Sequence, residues 1–100
     1  VESVVVPDAV SRWIVEILDA TRRHPRVRLG ASTRGGLAVA GLARSIAAMR
    51  ARAFVVPDDV AAVAVAALAH RVLLVDGDGS TTAGREVVAE CLRQVRPPSA

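Results

Sequence analysis

The sequence predicts an all-α domain, a small bundle of four helices joined by short extended connectors. Three observations carry that expectation. Apolar residues recur at three- and four-residue spacing in four separate segments. Helix-start residues precede the runs, and stop or turn residues such as Pro25 and the glycines after Asp76 follow them. The apolar content, 52% of 100 residues, is dominated by Ala and Val, with Trp13 and Phe54 the only aromatics, and such small side chains suit closely approached helices. A chain of this length makes one domain and buries roughly two-thirds of its unfolded surface.

The first helix is expected over residues 7–24. Val10, Trp13, Ile14, Ile17 and Leu18 form one face, opposite Ser11, Arg12, Glu16 and Asp19. Pro7 fits a first turn, Asp8 complements the positive end of the helix dipole, and Arg22, Arg23 and His24 lie in the last turn before Pro25. Arg26 to Gly30 reads as an extended connector leading to Ser32, a good N-cap. The second helix then spans 33–51, with Leu37, Leu42, Ile46 and Met49 expected on its buried side. Gly35, Gly36, Ala38, Ala40 and Gly41 make its start slim. Internal glycines cost up to about 1 kcal/mol each against alanine, so close backbone packing or an approaching ligand should offset them.

Phe54, Val55 and Val56 form an apolar extended link to a third helix over 57–70, opened by Pro57, Asp58 and Asp59. It carries Val60, Val63, Ala64, Ala67 and Leu68, and an extended piece from Val72 to Val75 follows. Asp76 to Ser80 is a turn by composition. The fourth helix, 82–95, places Val87, Val88, Cys91, Leu92 and Val95 at helical spacing, and residues 96–100 are expected to be flexible.

The positive charge comes from arginine alone, since the chain has no lysine, and Asp and Glu bring the formal net charge down to +3. Cys91, the single cysteine, lies on an apolar face and reads as a packed core thiol, so no intrachain disulfide forms and a reducing compartment is expected. The longest apolar run, around Val60 to Ala69, is far short of the ~20 residues of a spanning helix, and no signal-like segment opens the chain. A soluble, cytoplasmic protein with no membrane association is expected. The opening on Val1 suits a segment of a longer chain.

Arg34 is the candidate functional residue. An arginine just inside a helix N-terminus opposes the dipole of its own helix, yet it is well placed for an anion, because free backbone N–H groups and a guanidinium converge there.

The segment Val27-Arg-Leu-Gly-Ala-Ser-Thr-Arg-Gly, then Phe54-Val-Val-Pro-Asp-Asp-Val and His70-Arg71-Val72, resembles the C-terminal lid of MoxR-family AAA+ ATPases, a group similar to the magnesium chelatase ATPase subunit. Val6-Pro-Asp-Ala-Val and Ala20-Thr-Arg-Arg-His-Pro25 look like the first lid helix of the same family, so the resemblance covers roughly residues 4–75. It implies a single AAA+ lid domain over 1–100. It also implies that Arg34 is the sensor-2 arginine, directed at the γ-phosphate of ATP, with Ser32 as the helix N-cap near the nucleotide. Thr33 stands where the family usually has proline, which leaves the helix start with less pre-set backbone geometry.

The implied partners are the chain's own AAA+ core, neighbouring subunits of a ring, expected to be a hexamer, and a von Willebrand A domain protein. The implied role is to couple ATP hydrolysis to complex maturation or metal insertion. ATP and magnesium belong to the full-length protein only. A Walker A loop needs a lysine on the phosphates, which this chain lacks, and no Walker B element is present, so no catalytic residue, cofactor or metal is assigned to the segment by itself.

Weaker signals have plainer explanations. Asp76-Gly-Asp-Gly-Ser lacks the closing Glu of an EF-hand, Val87 standing at the twelfth position. His24 and His70 have no metal-ligand spacing with Cys91 and are expected at helix ends. Arg22, Arg23, Arg26 and Arg28 form a basic cluster that offers the alternative reading, a free-standing nucleic-acid-binding or protein-interaction module. Nucleic acid is the less favoured partner, because no aromatic residues interleave the arginines for base stacking.

Overall fold

A computed structural model describes residues 4–75 and 81–98. It contains four helices, α1 (Asp8–Arg23), α2 (Thr33–Met49), α3 (Pro57–Leu68) and α4 (Thr81–Gln94), with two short strands, β1 (Val27–Leu29) and β2 (Leu73–Leu74). Every helix boundary falls within two residues of its expected position. The expected turn at 76–80 and the last two tail residues lie outside the described residues.

The helix ends follow local chemistry. Pro7 precedes α1 in an extended conformation, so the helix proper begins at Asp8, and His24 turns extended ahead of Pro25. At the end of α2, Ala51 adopts the left-handed conformation (φ 58°). The Ala51 N–H donates to the Ala48 carbonyl at 3.0 Å and the Arg52 N–H to that of Ala47 at 2.9 Å, a Schellman closure with alanine where glycine is usual. The connectors do more than link helices. β1 and β2 pair antiparallel, Val27 opposite Leu74 and Leu29 opposite Leu73, and Val5 bridges Phe54 in parallel through the Val5 N–H to the Ala53 carbonyl and the Val55 N–H to the Val5 carbonyl, both at 2.9 Å.

The core joins Val10, Trp13, Ile14, Ile17 and Leu18 of α1 to Val39, Ala43 and Ala47 of α2, Val60, Ala64 and Leu68 of α3, and Val88 of α4. Cys91 is fully buried, as expected of a core thiol, and burial pushes its pKa up. The expected buried side of α2 is corrected. Leu37 is 69% exposed, Leu42 47% and Met49 81%, whereas Gly35, Gly36, Val39, Ala43 and Ala47 face inward. α2 packs against both α1 and α3. Only its small-residue stripe lets both neighbours approach: a Cβ on Gly36 would lie 2.8 Å from Leu18 Cδ1, and one on Gly35 3.1 Å from Leu68 Cδ2. Size complementarity outweighs hydrophobicity in choosing the inward face.

A buried ion pair closes the corner between α2 and α3. Asp59, the third residue of α3, is 0% exposed, and its carboxylate accepts Arg52 Nη1 at 2.6 Å and Nη2 at 2.7 Å. It also accepts the Val56 N–H at 2.9 Å, and Arg50 Nη1 approaches at 3.4 Å. The bidentate Arg52 hydrogen bonds hold the Asp59 carboxyl below the usual carboxylate range against the opposing cost of burial, helped by the Val56 amide and the charges of Arg52 and Arg50.

A Cβ at Gly84 would meet the Ala69 carbonyl oxygen at 2.5 Å, and nothing lies within 4 Å of one at Gly41. Gly84→Ala should therefore destabilise the domain by about 1–3 kcal/mol in urea unfolding, and Gly41→Ala should stabilise it by up to about 1 kcal/mol. Because the folded-state pKa of Asp59 lies below its unfolded value, its contribution is complete above the ordinary carboxylate pKa of 3.8 and is lost as pH falls through the depressed value. The gap in urea midpoint between the native chain and Asp59→Asn should be constant between about pH 6 and 8 and shrink below about pH 4.

Candidate functional site

The site is built around the first turn of α2, and the end of α1 holds that turn from below. Thr21 occupies the apolar stripe of α1, one turn on from Ile17 and Leu18, and is fully buried. Its Oγ1 donates to the Leu18 carbonyl at 2.6 Å and accepts the Ala31 N–H at 3.0 Å. Gly30 lies directly on the backbone of Arg22, where a Cβ would sit 2.8 Å from both Arg22 Cα and Arg22 N. Ala31 is 0% exposed. The chain thus leaves β1 pressed against α1, emerges at Ser32 and enters the helix at Thr33.

Ser32 occupies the N-cap position with extended backbone (φ −87°, ψ 173°), as expected, but its side chain makes no capping hydrogen bond. This corrects the expectation of an active cap. The Gly36 N–H bonds the Ser32 carbonyl at 3.3 Å, so the amides of Thr33, Arg34 and Gly35 precede the first intrahelical bond. Ser32, Thr33 and Arg34 are exposed, and the first turn holds no acidic residue. Arg34, the second residue of α2, makes no hydrogen bond or ion pair with a described residue. An exposed guanidinium beside uncapped amides at the positive end of a helix dipole is arranged to receive an anionic oxygen.

An apolar groove of about 180 Å³ adjoins this turn, lined by Ile14, Val15 and Leu18 of α1 and Thr33, Gly36 and Leu37 of α2. Val15 and Leu37 expose their side chains along it. A larger polar cleft, about 520 Å³, runs between the end of α1 and the end of α4 and shares no residue with α2. His24 lines it. Buried as the C-cap of α1, this histidine accepts the Arg26 N–H on Nδ1 at 3.1 Å, while Nε2 faces Glu90 Oε2 at 3.4 Å without a hydrogen bond. His70 is exposed just past α3.

The basic cluster is spread over three elements, with Arg22 and Arg23 ending α1, Arg26 in the turn and Arg28 on β1. Arg23 pairs with Asp19 at 2.8 Å, and Arg26 is also engaged. Among the described residues no three His, Cys, Asp or Glu side chains gather in a way that could hold a metal, and no helix is long and apolar enough to cross a membrane.

The structure puts Arg34 in the first turn of α2, where the sequence reading placed it, but that reading did not foresee the buried bonds of Thr21 or the pairing of Asp59 with Arg52. A signal existed for the first: Thr21 continues the stripe Val10, Ile14, Ile17, Leu18 at the next helical turn, and a lone hydroxyl on such a stripe must find a partner when buried. Nothing local announces that Ala31 is that partner.

Comparisons with known proteins bear on the family and the fold. A family model described as the AAA lid domain matches residues 19–92. The uncharacterised protein YeaC of Bacillus subtilis is 40% identical over 74 residues, which make up 74% of this chain and 23% of that protein. A crystal structure from Cytophaga hutchinsonii, named "a putative ATPase", superposes on 98% of this chain with a TM-score of 0.83 at 27% identity. The chain spans 33% of the Cytophaga chain and so corresponds to a minor part of each of these proteins. With that match over most of its length, the chain belongs to the AAA lid domain family.

Proposed function

We propose that this chain is the lid of a MoxR-type AAA+ ATPase and that Arg34 is its sensor-2 residue, reaching the γ-phosphate of ATP held by a core domain in the same protein. The observation that carries this reading is the state of the α2 start: an exposed, unpaired Arg34 beside amides that no side chain caps. A terminal phosphate fits this setting, because backbone N–H groups and a guanidinium can share its oxygens. Ser32 stands at the N-cap, where its hydroxyl, free of a capping bond, is available to the nucleotide side of the lid.

ATP, when bound, supplies the anhydride and the charge that develops on its terminal phosphate. The residues of this chain bind and orient: Arg34 places positive charge, and the groove beside Thr33, with exposed Val15 and Leu37, offers an apolar seat for the core. Magnesium and the water-orienting carboxylate belong to that core in this reading, and the first turn of α2 itself carries no acidic residue. Subunits of this kind would form a cytoplasmic ring, expected to be hexameric, in which lid movement couples nucleotide state to subunit arrangement. Maturation of a protein complex or insertion of a metal, together with a von Willebrand A domain protein, is the role the resemblance to MoxR-type ATPases suggests.

In the intact ATPase, Arg34→Ala should lower steady-state ATP turnover by about 10²-fold, the effect of removing one preorganised charged donor. Arg34→Lys should recover only part of it, because an ammonium cannot reproduce the planar fork. Wild-type turnover in Arg34→Ala would overturn the sensor-2 assignment.

A further inference from the structure

Arg34 can act on a phosphate only if the start of α2 is held in place, and the usual local devices for that are missing. The N-cap side chain of Ser32 makes no bond, no acidic residue occupies the first turn, and Thr33 rather than proline stands at the first helical position. We propose that Thr21 is the positioning residue for Arg34. This proposal rests on the sensor-2 reading given above.

The geometry is specific. The Thr21 hydroxyl commits its proton to the Leu18 carbonyl at 2.6 Å, which leaves oxygen lone pairs as the acceptor for the Ala31 N–H at 3.0 Å. Thr21 and Ala31 are both 0% exposed, so no bulk water competes for that amide. Upstream, Gly30 rests on the Arg22 backbone, and downstream Gly35 and Gly36 pack on Leu68 and Leu18. Arg34 is therefore bracketed between two anchored points of backbone while its own side chain points into solvent. Its bearing is set by the bracket, because its guanidinium makes no hydrogen bond or ion pair with a described residue.

Of these contacts the Thr21 to Ala31 bond is the one made by a side-chain polar group. Its loss leaves the downstream packing of α2 intact and releases only the segment that leads into Thr33 and Arg34. Thr21 touches no substrate in this scheme. It acts through the position of Arg34, and a misplacement of about 1 Å at a reacting centre can cost up to about 10²-fold in rate.

The test is a double-mutant cycle in the intact ATPase, read as kcat and KM for ATP, with thermal melting to show that each variant is folded. Thr21→Val keeps the shape and removes the acceptor, and it should lower kcat about tenfold with a smaller change in KM. Thr21→Ser, which restores the hydroxyl, should return kcat to near the wild-type value. The Thr21→Val/Arg34→Ala double variant should be no slower than Arg34→Ala alone, since a positioning residue has nothing left to position. If Thr21→Val does not fold, Thr21→Ala, which leaves room for a water at the Ala31 amide, takes its place in the cycle.

Wild-type kcat in Thr21→Val beside a slow Arg34→Ala overturns this proposal alone. So does a double variant whose loss equals the product of the two single losses, or a Thr21→Ser that stays slow. An Arg34→Ala variant with unchanged turnover removes the sensor-2 reading itself, and this proposal with it.

Discussion

Close approach of α2 to its two neighbours is the constraint on which the rest of the domain depends. The helix is clamped between α1 and α3 along a stripe of Gly35, Gly36, Val39, Ala43 and Ala47, and Cβ atoms on the two glycines would press on Leu68 and Leu18. Dispersion contacts fall off steeply with gap width, so a slim face that brings three backbones together gains more than a bulky face that holds them apart. The intrinsic helix cost of the glycines is offset there. Leu37, Leu42 and Met49 are left on the outside as a consequence.

Both ends of the clamped helix are then fixed by contacts of its flanking residues with α1 and α3. At its start, the Ala31 amide is taken by Thr21 of α1 and Gly30 lies on Arg22. At its end, the left-handed Ala51 closes the last turn, and Arg52 swings its guanidinium onto the buried Asp59 of α3. The corner is tied further by the Val5 bridge to Phe54, which brings the opening segment alongside the α2–α3 link. A buried carboxylate is costly to desolvate, and here it is tolerated because a bidentate arginine and a backbone amide both satisfy it.

Elsewhere on the surface, Arg23 makes a local pair with Asp19 one helical turn away. Such exposed pairs contribute little to stability. Arg34 sits in a helix first turn that has no acidic residue and no side-chain cap bond from Ser32. Its setting is unfavourable to the isolated helix and favourable to an anion, which is the kind of local conflict expected at a functional position.

The sequence by itself determined the four helices, their order and their limits to within two residues, because helix starts and stops are written in local chemistry: Pro7 and Asp8, Pro25, Ser32, Pro57 with Asp58 and Asp59. It also determined where Arg34 falls on α2, since position along a helix is a matter of counting. Only the tertiary structure decided which face of α2 is buried. Hydrophobicity pointed to Leu37, Leu42 and Met49, whereas the fit between three helices chose the glycines and alanines. Tertiary structure alone also decided that Val27–Leu29 and Leu73–Leu74 pair, that Ser32 leaves its cap unmade, that Asp59 meets Arg52, and that Thr21 holds Ala31. Each of these depends on the distance between groups that helical periodicity leaves free, and that distance is set when the helices pack.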